Sequence, residues 1–375
     1  MKRKKYRTFG FVMTVLALSV PRFNALAEVN VLAWGYNSSG QCNVPTDLTN
    51  AVAIAAGEQF SLAVRANGEV VGWGGNPLSP GSYKPPNINN AVAVAASPCN
   101  SVALKADGTV VAWAFPPGID YGQTKVPSDL SNAVAISAGL FHSLALKTDG
   151  TVVAWGDNSS GQCDVPPGLT SVVAISAGYY HNLALKDDGT VVGWGLTGCY
   201  SPLPPLTNVV AIAAADDHNL SLKADGTVIA WWGFSPANKW SPPTALADVV
   251  AVSAGSYENL ALRTDGTIVS WGYNPTRVIS VSRVTAISAG GDHSLALIGF
   301  SNQIEPVLSI SKERVLKITG GEIGARYRLE FTSTIRPANA WTFLRVIVIT
   351  GNPQFHSDGS AANQSSRFYR LVKVL

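Results

Sequence analysis

The sequence predicts an all-β protein: a seven-bladed β-propeller closed by its N-terminal strand and followed by a small C-terminal β-sandwich-like module. The composition is one sign, because 35 Gly, 22 Pro and only 14% charged residues suit many short strands and turns. A repeat of about 40 residues is the other, because units of this length bury their apolar face only by stacking on neighbours. A tryptophan marks each repeat, at Trp34, Trp73, Trp113, Trp155, Trp194, Trp231 and Trp271.

Each repeat contains three short runs that are typical of strands. In the repeat that ends at Trp155 they are Val134–Ala138, Ser143–Lys147 and Thr151–Trp155. Asp149-Gly150 closes the second hairpin, because Gly tolerates a positive φ and Asp caps its own turn. The same turn recurs as Asn67-Gly68, Asp107-Gly108, Asp188-Gly189, Asp225-Gly226 and Asp265-Gly266. Three or four antiparallel strands per repeat predict one propeller blade.

The two ends of the repeat region predict a closed ring. The last repeat, Val284–Leu297, lacks its final strand and its tryptophan. The segment Val29–Gly35 carries the missing strand with Trp34. Joining the two completes a seventh blade and leaves no free edge in the ring.

Three segments are expected. Residues 1–27 have a basic start, an apolar run from Phe9 to Val20 and an A-x-A site at Ala25–Ala27, which predicts a secretory signal peptide. A membrane anchor is the alternative, but this run is shorter than the roughly 20 residues that a span requires. Residues 28–300 are expected to form the propeller. Residues 301–375 are expected to form a small β domain, with strands at Val307–Ile318, Tyr327–Phe331, Phe343–Ile349 and Arg367–Val374.

Charge limits the classes of partner. Residues 28–300 carry 11 basic and 19 acidic side chains, a net charge of −8, whereas residues 301–375 carry a net charge of +5. An acidic body argues against nucleic acid as a partner. The four cysteines are expected to be free thiols, because Cys42 and Cys163 occupy equivalent places in distant repeats.

Several segments resemble the regulator of chromosome condensation repeat family: AWGDNSSGQ, VPPGL, VVAISAG, HNLALK and DGTVVGWG. The short repeat is most similar to secreted bacterial members such as beta-lactamase inhibitor protein II. The resemblance implies a seven-bladed propeller. It leaves the function open, because members serve as nucleotide exchange factors, enzyme inhibitors and adaptors.

Four histidines occupy one repeat position: His142, His181, His218 and His293. A metal ion needs several ligands around one point, whereas equivalent positions on successive blades are spread around a ring. We therefore expect each imidazole to bond backbone between blades, and we expect no metal and no cofactor. The seven tryptophans are likewise expected to pack between blades rather than to stack on a ligand.

The two residues before this histidine position vary from repeat to repeat, whereas the sequence on either side of them repeats. They form a turn that reads Glu58-Gln59, Pro98-Cys99, Leu140-Phe141, Tyr179-Tyr180, Asp216-Asp217, Ser256-Tyr257 and Gly291-Asp292. Following the strands places this turn and the loop after the tryptophan at one end of the propeller, and the Asp-Gly turn at the other. Variable aromatic and acidic residues on a rigid frame predict a recognition surface, although surface turns also vary when little constrains them. The predicted partner-binding residues are Glu58, Leu140, Phe141, Tyr179, Tyr180, Asp216, Asp217, Tyr257 and Asp292.

These features predict an exported, non-catalytic and monomeric binding module, placed in the secreted, periplasmic or cell-surface compartment. Its expected partner is a protein, such as an extracellular enzyme, with a glycan as the other option. The alternative is a polysaccharide-active enzyme, which needs two carboxylates about 5–9.5 Å apart. A nucleotide-exchange role, known among nuclear relatives, is a further alternative. No catalytic triad, zinc-protease or phosphate-loop motif is present in the sequence.

Overall fold

The computed structural model describes residues 30–75, 85–114, 119–196, 206–232, 240–273, 277–281 and 283–299, and the backbone of six strands between 307 and 373. The predicted signal peptide, residues 1–27, lies outside the described residues. The chain divides into two units, of which the first contains Asn30–Ile298 and the second contains the C-terminal strands.

All regular elements of the described residues are strands, and those of the first unit form seven antiparallel sheets, here called blades. The first described strand is β1 (Asn30–Gly35). Blade 1 contains β2 (Ala51–Ala56), β3 (Phe60–Arg65) and β4 (Val70–Gly74). Blade 2 contains β5 (Ala91–Ala96), β6 (Asn100–Lys105) and β7 (Val110–Ala114). Blade 3 contains β8 (Ala133–Ala138), β9 (His142–Lys147) and β10 (Val152–Gly156). Blades 4 and 5 are β11 (Val172–Ala177), β12 (His181–Lys186) and β13 (Val191–Gly195); and β14 (Val209–Ala214), β15 (His218–Lys223) and β16 (Val228–Trp232).

The last two blades depart from the plain three-strand order. Blade 6 contains four strands, β17 (Val249–Ala254), β18 (Glu258–Arg263), β19 (Thr267–Gly272) and β20 (Arg277–Ser280). Blade 7 contains β21 (Val284–Ala289), β22 (His293–Ile298) and, as its third strand, β1 from the other end of the unit.

The blades form a closed ring. The first strand of each blade contacts the first strand of the next, and β21 of blade 7 contacts β2 of blade 1. Strand β1 pairs antiparallel with β22, which places Trp34 opposite Ser294. The structure is therefore a β-propeller closed by its N-terminal strand, as the sequence predicts.

The junction between blades 7 and 1 uses the same bonds as junctions inside the repeat. Ala56 N donates to Ser288 Oγ (3.0 Å), as Ala177 N of blade 4 donates to Ser137 Oγ of blade 3 (2.9 Å). Gly291 N of blade 7 also donates to the carbonyl of Gly57 in blade 1 (2.9 Å). Closure thus needs no special contact, because the two chain ends meet through the repeated interface.

Small residues follow each first strand because the blades approach closely there. A Cβ on Gly178 would collide with the carbonyl of Ala215 in the next blade and with the ring of His181. A Cβ on Gly139 would collide with the ring of His142. The recurring Ala-Gly step is therefore a packing requirement of the ring.

The Asp-Gly turns form as predicted. In blade 3, Gly150 has a φ of +79° and donates its N–H to the carbonyl of Lys147 (3.0 Å). The carboxylate of Asp149 accepts hydrogen bonds from the N–H (3.0 Å) and the hydroxyl (2.6 Å) of Thr151. The hydroxyl bond, with the N–H bond second, holds the pKa of Asp149 below its ordinary value.

The repeat tryptophans lie at blade junctions. Trp194 Nε1 of blade 4 donates to the carbonyl of Gln162 (3.1 Å), which belongs to the loop after blade 3. Trp73 and Trp155 make the same bond with Gln41 (2.8 Å) and Gln123 (2.9 Å). Six of the seven tryptophans are buried, and Trp34 is half-buried. They therefore pack at the junctions between blades.

The histidines join neighbouring blades, but through side chains rather than the backbone bonds that we predicted. His142 Nε2 lies 2.7 Å from Asn182 Oδ1 of the next blade. The Asn182 amide donates to the carbonyl of Gln162 (2.8 Å), so its Oδ1 accepts and His142 Nε2 carries the proton.

The same bridge recurs between His181 and Asn219 (2.7 Å) and between His218 and Asn259 (2.8 Å). His293 bridges blade 7 to Ser61 of blade 1 (2.8 Å). These bonds join blades 3 to 4, 4 to 5, 5 to 6 and 7 to 1, and we call them the histidine belt. Backbone was the wrong expectation because the middle strands stand side by side, so polar side chains at their first and second positions reach one another.

The C-terminal unit consists of six described strands: β23 (Val307–Ile310), β24 (Val315–Thr319), β25 (Arg326–Thr332), β26 (Thr342–Val348), β27 (Gln354–Ser357) and β28 (Phe368–Lys373). They form two sheets, β23–β24–β27 and β26–β25–β28. The run Val307–Ile318, predicted as one strand, is two antiparallel strands with Val307 opposite Thr319. The sandwich packing of the two sheets stays a prediction.

Removing residues 28–36 should destabilise the propeller. The deletion takes away β1, exposes the edge of β22 and removes Trp34, and the loss of one large aromatic alone costs about 3–5 kcal/mol. Urea unfolding of the chain from residue 28 and of the chain from residue 37 measures the difference. Trp34→Ala, which keeps the strand, should lose less. Equal unfolding midpoints for the full and truncated chains would contradict ring closure.

The histidine belt should make the propeller sensitive to acid. Burial lowers the pKa of His142, His181 and His293 from 6.5 to about 4. Between pH 6.5 and pH 4 each of these imidazoles is protonated in the unfolded chain but still neutral in the folded one. The free energy of unfolding therefore has its full value above pH 6.5 and decreases by roughly 1.4 kcal/mol per pH unit and per histidine as the pH falls toward 4. His181→Ala should cost about 1–3 kcal/mol at pH 7, because it leaves the Asn219 oxygen without its donor.

The same variant should lose less stability than the parent between pH 7 and pH 5, by roughly 2 kcal/mol, because one titrating group is gone. Urea unfolding at the two pH values measures both quantities. Equal losses in parent and variant would show that His181 does not titrate as a buried neutral group.

Candidate functional site

The variable turns and the loops after the tryptophans lie at one end of the propeller. In blade 3, Asp157 N, just after the third strand, donates to the carbonyl of Phe141 in the turn (2.8 Å). The same bond joins Leu196 to Tyr180 (2.8 Å) and Tyr273 to Tyr257 (3.0 Å). We call the surface made by these turns and these following residues the variable face. The end that carries the Asp-Gly turns is the Asp-Gly end.

All nine predicted partner-binding residues lie on the variable face. Tyr257 and Asp292 are exposed, and the other seven are half-buried: Glu58, Leu140, Phe141, Tyr179, Tyr180, Asp216 and Asp217. In blades 1, 3, 4, 6 and 7 the backbone of the turn is fixed by this bond to the loop, so these turns differ mainly in their side chains. The variable face is therefore a rigid frame with exchangeable side chains.

Near the axis, side chains from three blades meet. Tyr179 of blade 4 places its hydroxyl 3.3 Å from Ser256 Oγ of blade 6. Ser256 Oγ donates to Asp216 Oδ1 of blade 5 (2.9 Å). Blades 4 and 6 are not neighbours in the ring, so this contact spans the mouth of the axis.

The mouth of the axis favours neutral or cationic groups. Burial raises the pKa of the Asp216 carboxyl to about 6, while the bonds from Ser256 and Tyr179 oppose the rise. Burial also raises the pKa of the Tyr179 hydroxyl, and the carboxylates of Asp216 and Glu58 add to the rise. Burial, followed by repulsion from Asp292, raises the pKa of Glu58.

Four of the six large apolar or aromatic side chains that are exposed in the described residues are tyrosines of this face. They are Tyr36 (57% exposed), Tyr121 (61%), Tyr257 (43%) and Tyr273 (57%). Tyr257 and Tyr273 pack edge to face with ring centroids 5.3 Å apart, and Tyr121 packs on Phe141 at 4.7 Å. Aromatic side chains held by one another in this way lose little freedom on binding.

The sequence reasoning missed Tyr36, Tyr121 and Tyr273. A signal was available for two of them, because Tyr36 and Tyr273 both stand two residues after a repeat tryptophan. That position is Gly75, Asp157 and Leu196 in other repeats, so it varies as the turn does. The third, Tyr121, is marked in another way, because it precedes Gly122-Gln123, the counterpart of Gly40-Gln41 and Gly161-Gln162.

Charge is divided between the two ends. The ion pairs that Lys and Arg make within the described residues lie toward the Asp-Gly end: Arg65 with Asp47 and Glu69, Lys105 with Asp107, Lys147 with Asp149, Lys186 with Asp188 and Lys223 with Asp225. The carboxylates of Glu58, Asp216 and Asp292 stand at the other end. Among the described residues, these carboxylates give the variable face negative charge that attracts cationic groups.

The described residues contain no group of three His, Cys, Asp or Glu side chains that could hold a metal ion. The four repeat histidines lie in four different blades. Cys42, Cys99 and Cys163 are free thiols, and Cys199 lies outside the described residues. In the part of the chain that is described, no helix is long and apolar enough to cross a membrane.

Comparison with known proteins identifies the repeat. Residues 51–77, 133–162, 172–200 and 249–275 match the Regulator of chromosome condensation (RCC1) repeat. The chain carries RCC1 repeats. The four matched segments begin at the first strands of blades 1, 3, 4 and 6, so the matched unit coincides with the blade.

Solved structures share this RCC1-type fold. Prp20p from Saccharomyces cerevisiae, described with its binding to Gsp1p and histones, is 20% identical with a TM-score of 0.61, covering 74% of this chain and 93% of its own. Yeast RCC1 (Prp20) bound by Kap60 is 19% identical, with a TM-score of 0.58 and coverages of 80% and 95%. Human WBSCR16 is 17% identical, with a TM-score of 0.55 and coverages of 72% and 99%. No curated protein sequence matches the chain.

Asp216→Asn should change how stability depends on pH. As the pH rises toward 6, the Asp216 carboxyl ionises in the unfolded chain but stays protonated in the folded one, so the free energy of unfolding decreases. The asparagine variant has no carboxyl to ionise and does not lose this stability. The stability of the variant relative to the parent should therefore increase by about 2–3 kcal/mol from pH 4 to pH 7. Asp129→Asn, at an exposed site, is the control for urea unfolding at both pH values. A constant difference would show that Asp216 is not a buried, hydrogen-bonded acid.

Proposed function

We propose that this protein is an exported, non-catalytic binding module that docks a protein partner on the variable face. The observation that carries the proposal is the gathering of exposed tyrosines at one end, next to half-buried Phe141, Tyr179 and Tyr180. Tyrosine is among the side chains that most often dominate the energy of a protein interface. Its flat ring buries a large area with few rotatable bonds.

The ring beneath the face supports this role. Interblade hydrogen bonds and close glycine contacts fix the positions of the turns. A pre-organised surface binds without ordering its own backbone, so more of the contact energy remains as affinity. The position of the aromatics on turns, outside the strands that build the core, leaves them free to serve recognition.

Proteins of the same fold support a protein as the partner class. Prp20p is described with its binding to Gsp1p and histones, and Kap60 is bound to yeast RCC1. Sequence identities near 20% show a shared fold but not a shared partner. The partner of this chain therefore has to be found by experiment. Export and the monomeric state rest on the sequence at residues 1–27 and on the closed ring, in which β1 and β22 leave no blade incomplete.

Replacing Phe141, Tyr180 and Tyr257 together with Ala should weaken capture of the partner by well over tenfold. The three side chains belong to three blades of the variable face and lie on turns, so the melting temperature should stay almost unchanged. To capture the partner, the mature protein is immobilised and exposed to culture medium and cell-envelope extract of the cells that produce it. Affinity for the recovered protein is then measured for parent and variant.

The matched control alters the other end, at Thr148 and Asp187 in the Asp-Gly hairpins. Capture that survives the aromatic change but fails with the control would place the binding site at the Asp-Gly end. Recovery of a glycan in place of a protein would contradict the partner class. Hydrolysis of a polysaccharide by the mature protein, abolished by Asp216→Asn, would replace the binding module by the alternative enzyme.

A further inference from the structure

The turns of blades 6, 7 and 1 are joined edge to edge. Ser256 N in the turn of blade 6 donates to the carbonyl of Gly290 in blade 7 (3.1 Å). Gly291 N donates in turn to Gly57 of blade 1 (2.9 Å). These main-chain bonds hold the neighbouring Tyr257, Asp292 and Glu58 in one continuous strip.

Aromatic rings flank the carboxylates of this strip. The carbonyl of Asp292 accepts a hydrogen bond from Tyr36 N (2.8 Å), so Tyr36 follows Asp292 directly on the face. Tyr257 and Tyr273 pack against each other on the neighbouring blade. We call Glu58, Asp292, Tyr36, Tyr257 and Tyr273 the cation sector. The other aromatic residues described on this face lie elsewhere: Tyr121 in the loop after blade 2, Phe141 in blade 3, and Tyr179 and Tyr180 in blade 4.

In the described part of the chain, neither Glu58 nor Asp292 forms an ion pair with a Lys or Arg side chain. Gly291 is packed so closely on Glu58 that a Cβ there would lie 2.7 Å from Glu58 Cγ. Glu58 and Asp292 are near enough to repel each other. Arg263 and Arg283 lie toward the Asp-Gly end, whereas Arg277 begins β20 opposite Ser270 of β19, on the outermost strand of blade 6. Within the described residues, a basic partner would therefore have no ion pair of Glu58 or Asp292 to displace.

We propose that the partner anchors itself on the cation sector through arginine or lysine side chains of a basic protein segment. This inference rests on the proposed function and specifies the chemistry of its partner. A guanidinium or ammonium group can pair with Glu58 or Asp292 while its stem or plane lies on the ring of Tyr36 or Tyr257. A neutral glycan would leave both carboxylates unpaired, and a polyanion would be repelled.

The test uses the mature protein and a fluorescent octa-arginine peptide, with an octa-glutamate peptide as the charge control. Fluorescence anisotropy measures the Kd at low and at physiological salt. Glu58→Gln combined with Asp292→Asn should weaken octa-arginine binding at least tenfold. The matched control, Asp129→Asn combined with Asp187→Asn, removes the same charge at exposed sites away from the face and should weaken binding less than twofold.

Carboxyl footprinting by carbodiimide labelling locates the peptide independently. Labelling of Glu58 and Asp292 should fall when octa-arginine is bound, and labelling of Asp129 and Asp187 should not. Tyr36→Ala combined with Tyr257→Ala should weaken binding more than threefold with an unchanged melting temperature. Equal weakening by both carboxyl pairs, binding of octa-glutamate, or no binding of octa-arginine would each overturn the proposal.

The recovered partner separates this proposal from the proposed function. If the Phe141, Tyr180 and Tyr257 change abolishes capture while the Glu58 and Asp292 change has no effect, the variable face binds its partner without the cation sector. If neither change affects capture, the proposed function fails as well.

Discussion

The structure depends on one repeated interaction, the hydrogen bond between the middle strands of neighbouring blades. At four of the seven junctions, a histidine at the first position of one middle strand donates to an asparagine or serine at the second position of the next, as His142 does to Asn182 and His293 to Ser61. Both partners are buried, so each bond would leave an unsatisfied polar group if the blades separated. The same kind of bond occurs at the junction that closes the ring, so blades 7 and 1 are joined as blades 3 and 4 are.

This frame explains how the same protein can have a rigid body and a variable surface. The closest packing lies along the first and middle strands, where Gly139 and Gly178 admit no side chain. The turns beyond them are tied to the following loops by main-chain bonds that do not depend on side-chain identity, such as Asp157 to Phe141. Side chains on these turns can therefore change without disturbing the ring, and they carry the aromatic and acidic groups of the variable face.

The fold was predictable because its signals repeat. The spacing of Trp34 to Trp271, the Asp-Gly turns and the spare strand before Gly35 each gave an element that the structure contains. Other features were hidden because they depend on which residues face each other across blades. The His142–Asn182 bridge is one case, since HNLALK shows His181 and Asn182 as neighbours in sequence, whereas each bonds a different blade. Trp240 stacks on His218 with ring centroids 3.9 Å apart, a contact that the tryptophan spacing does not predict.

The candidate site shows the same limit. Sequence patterns placed Tyr180, Tyr257 and Asp292 at one end, because the period of the repeat fixes the direction of each strand. They could not show that Tyr179, Asp216 and Ser256 would meet across the axis, because that contact depends on the diameter of the closed ring. The half-burial of Asp216, which raises its pKa to about 6, follows from that meeting and has no signature in the sequence.

Amide hydrogen exchange of the mature protein, alone and with its recovered partner, tests the central claim most directly. In the free protein, the middle strands of all seven blades, β22 included, should exchange slowly and together, because the ring opens as one unit. With the partner bound, additional protection should be confined to the variable turns and to the residues that follow the tryptophans. Independent fast exchange of β22 and β1, or protection centred on the Asp-Gly turns, would contradict the account.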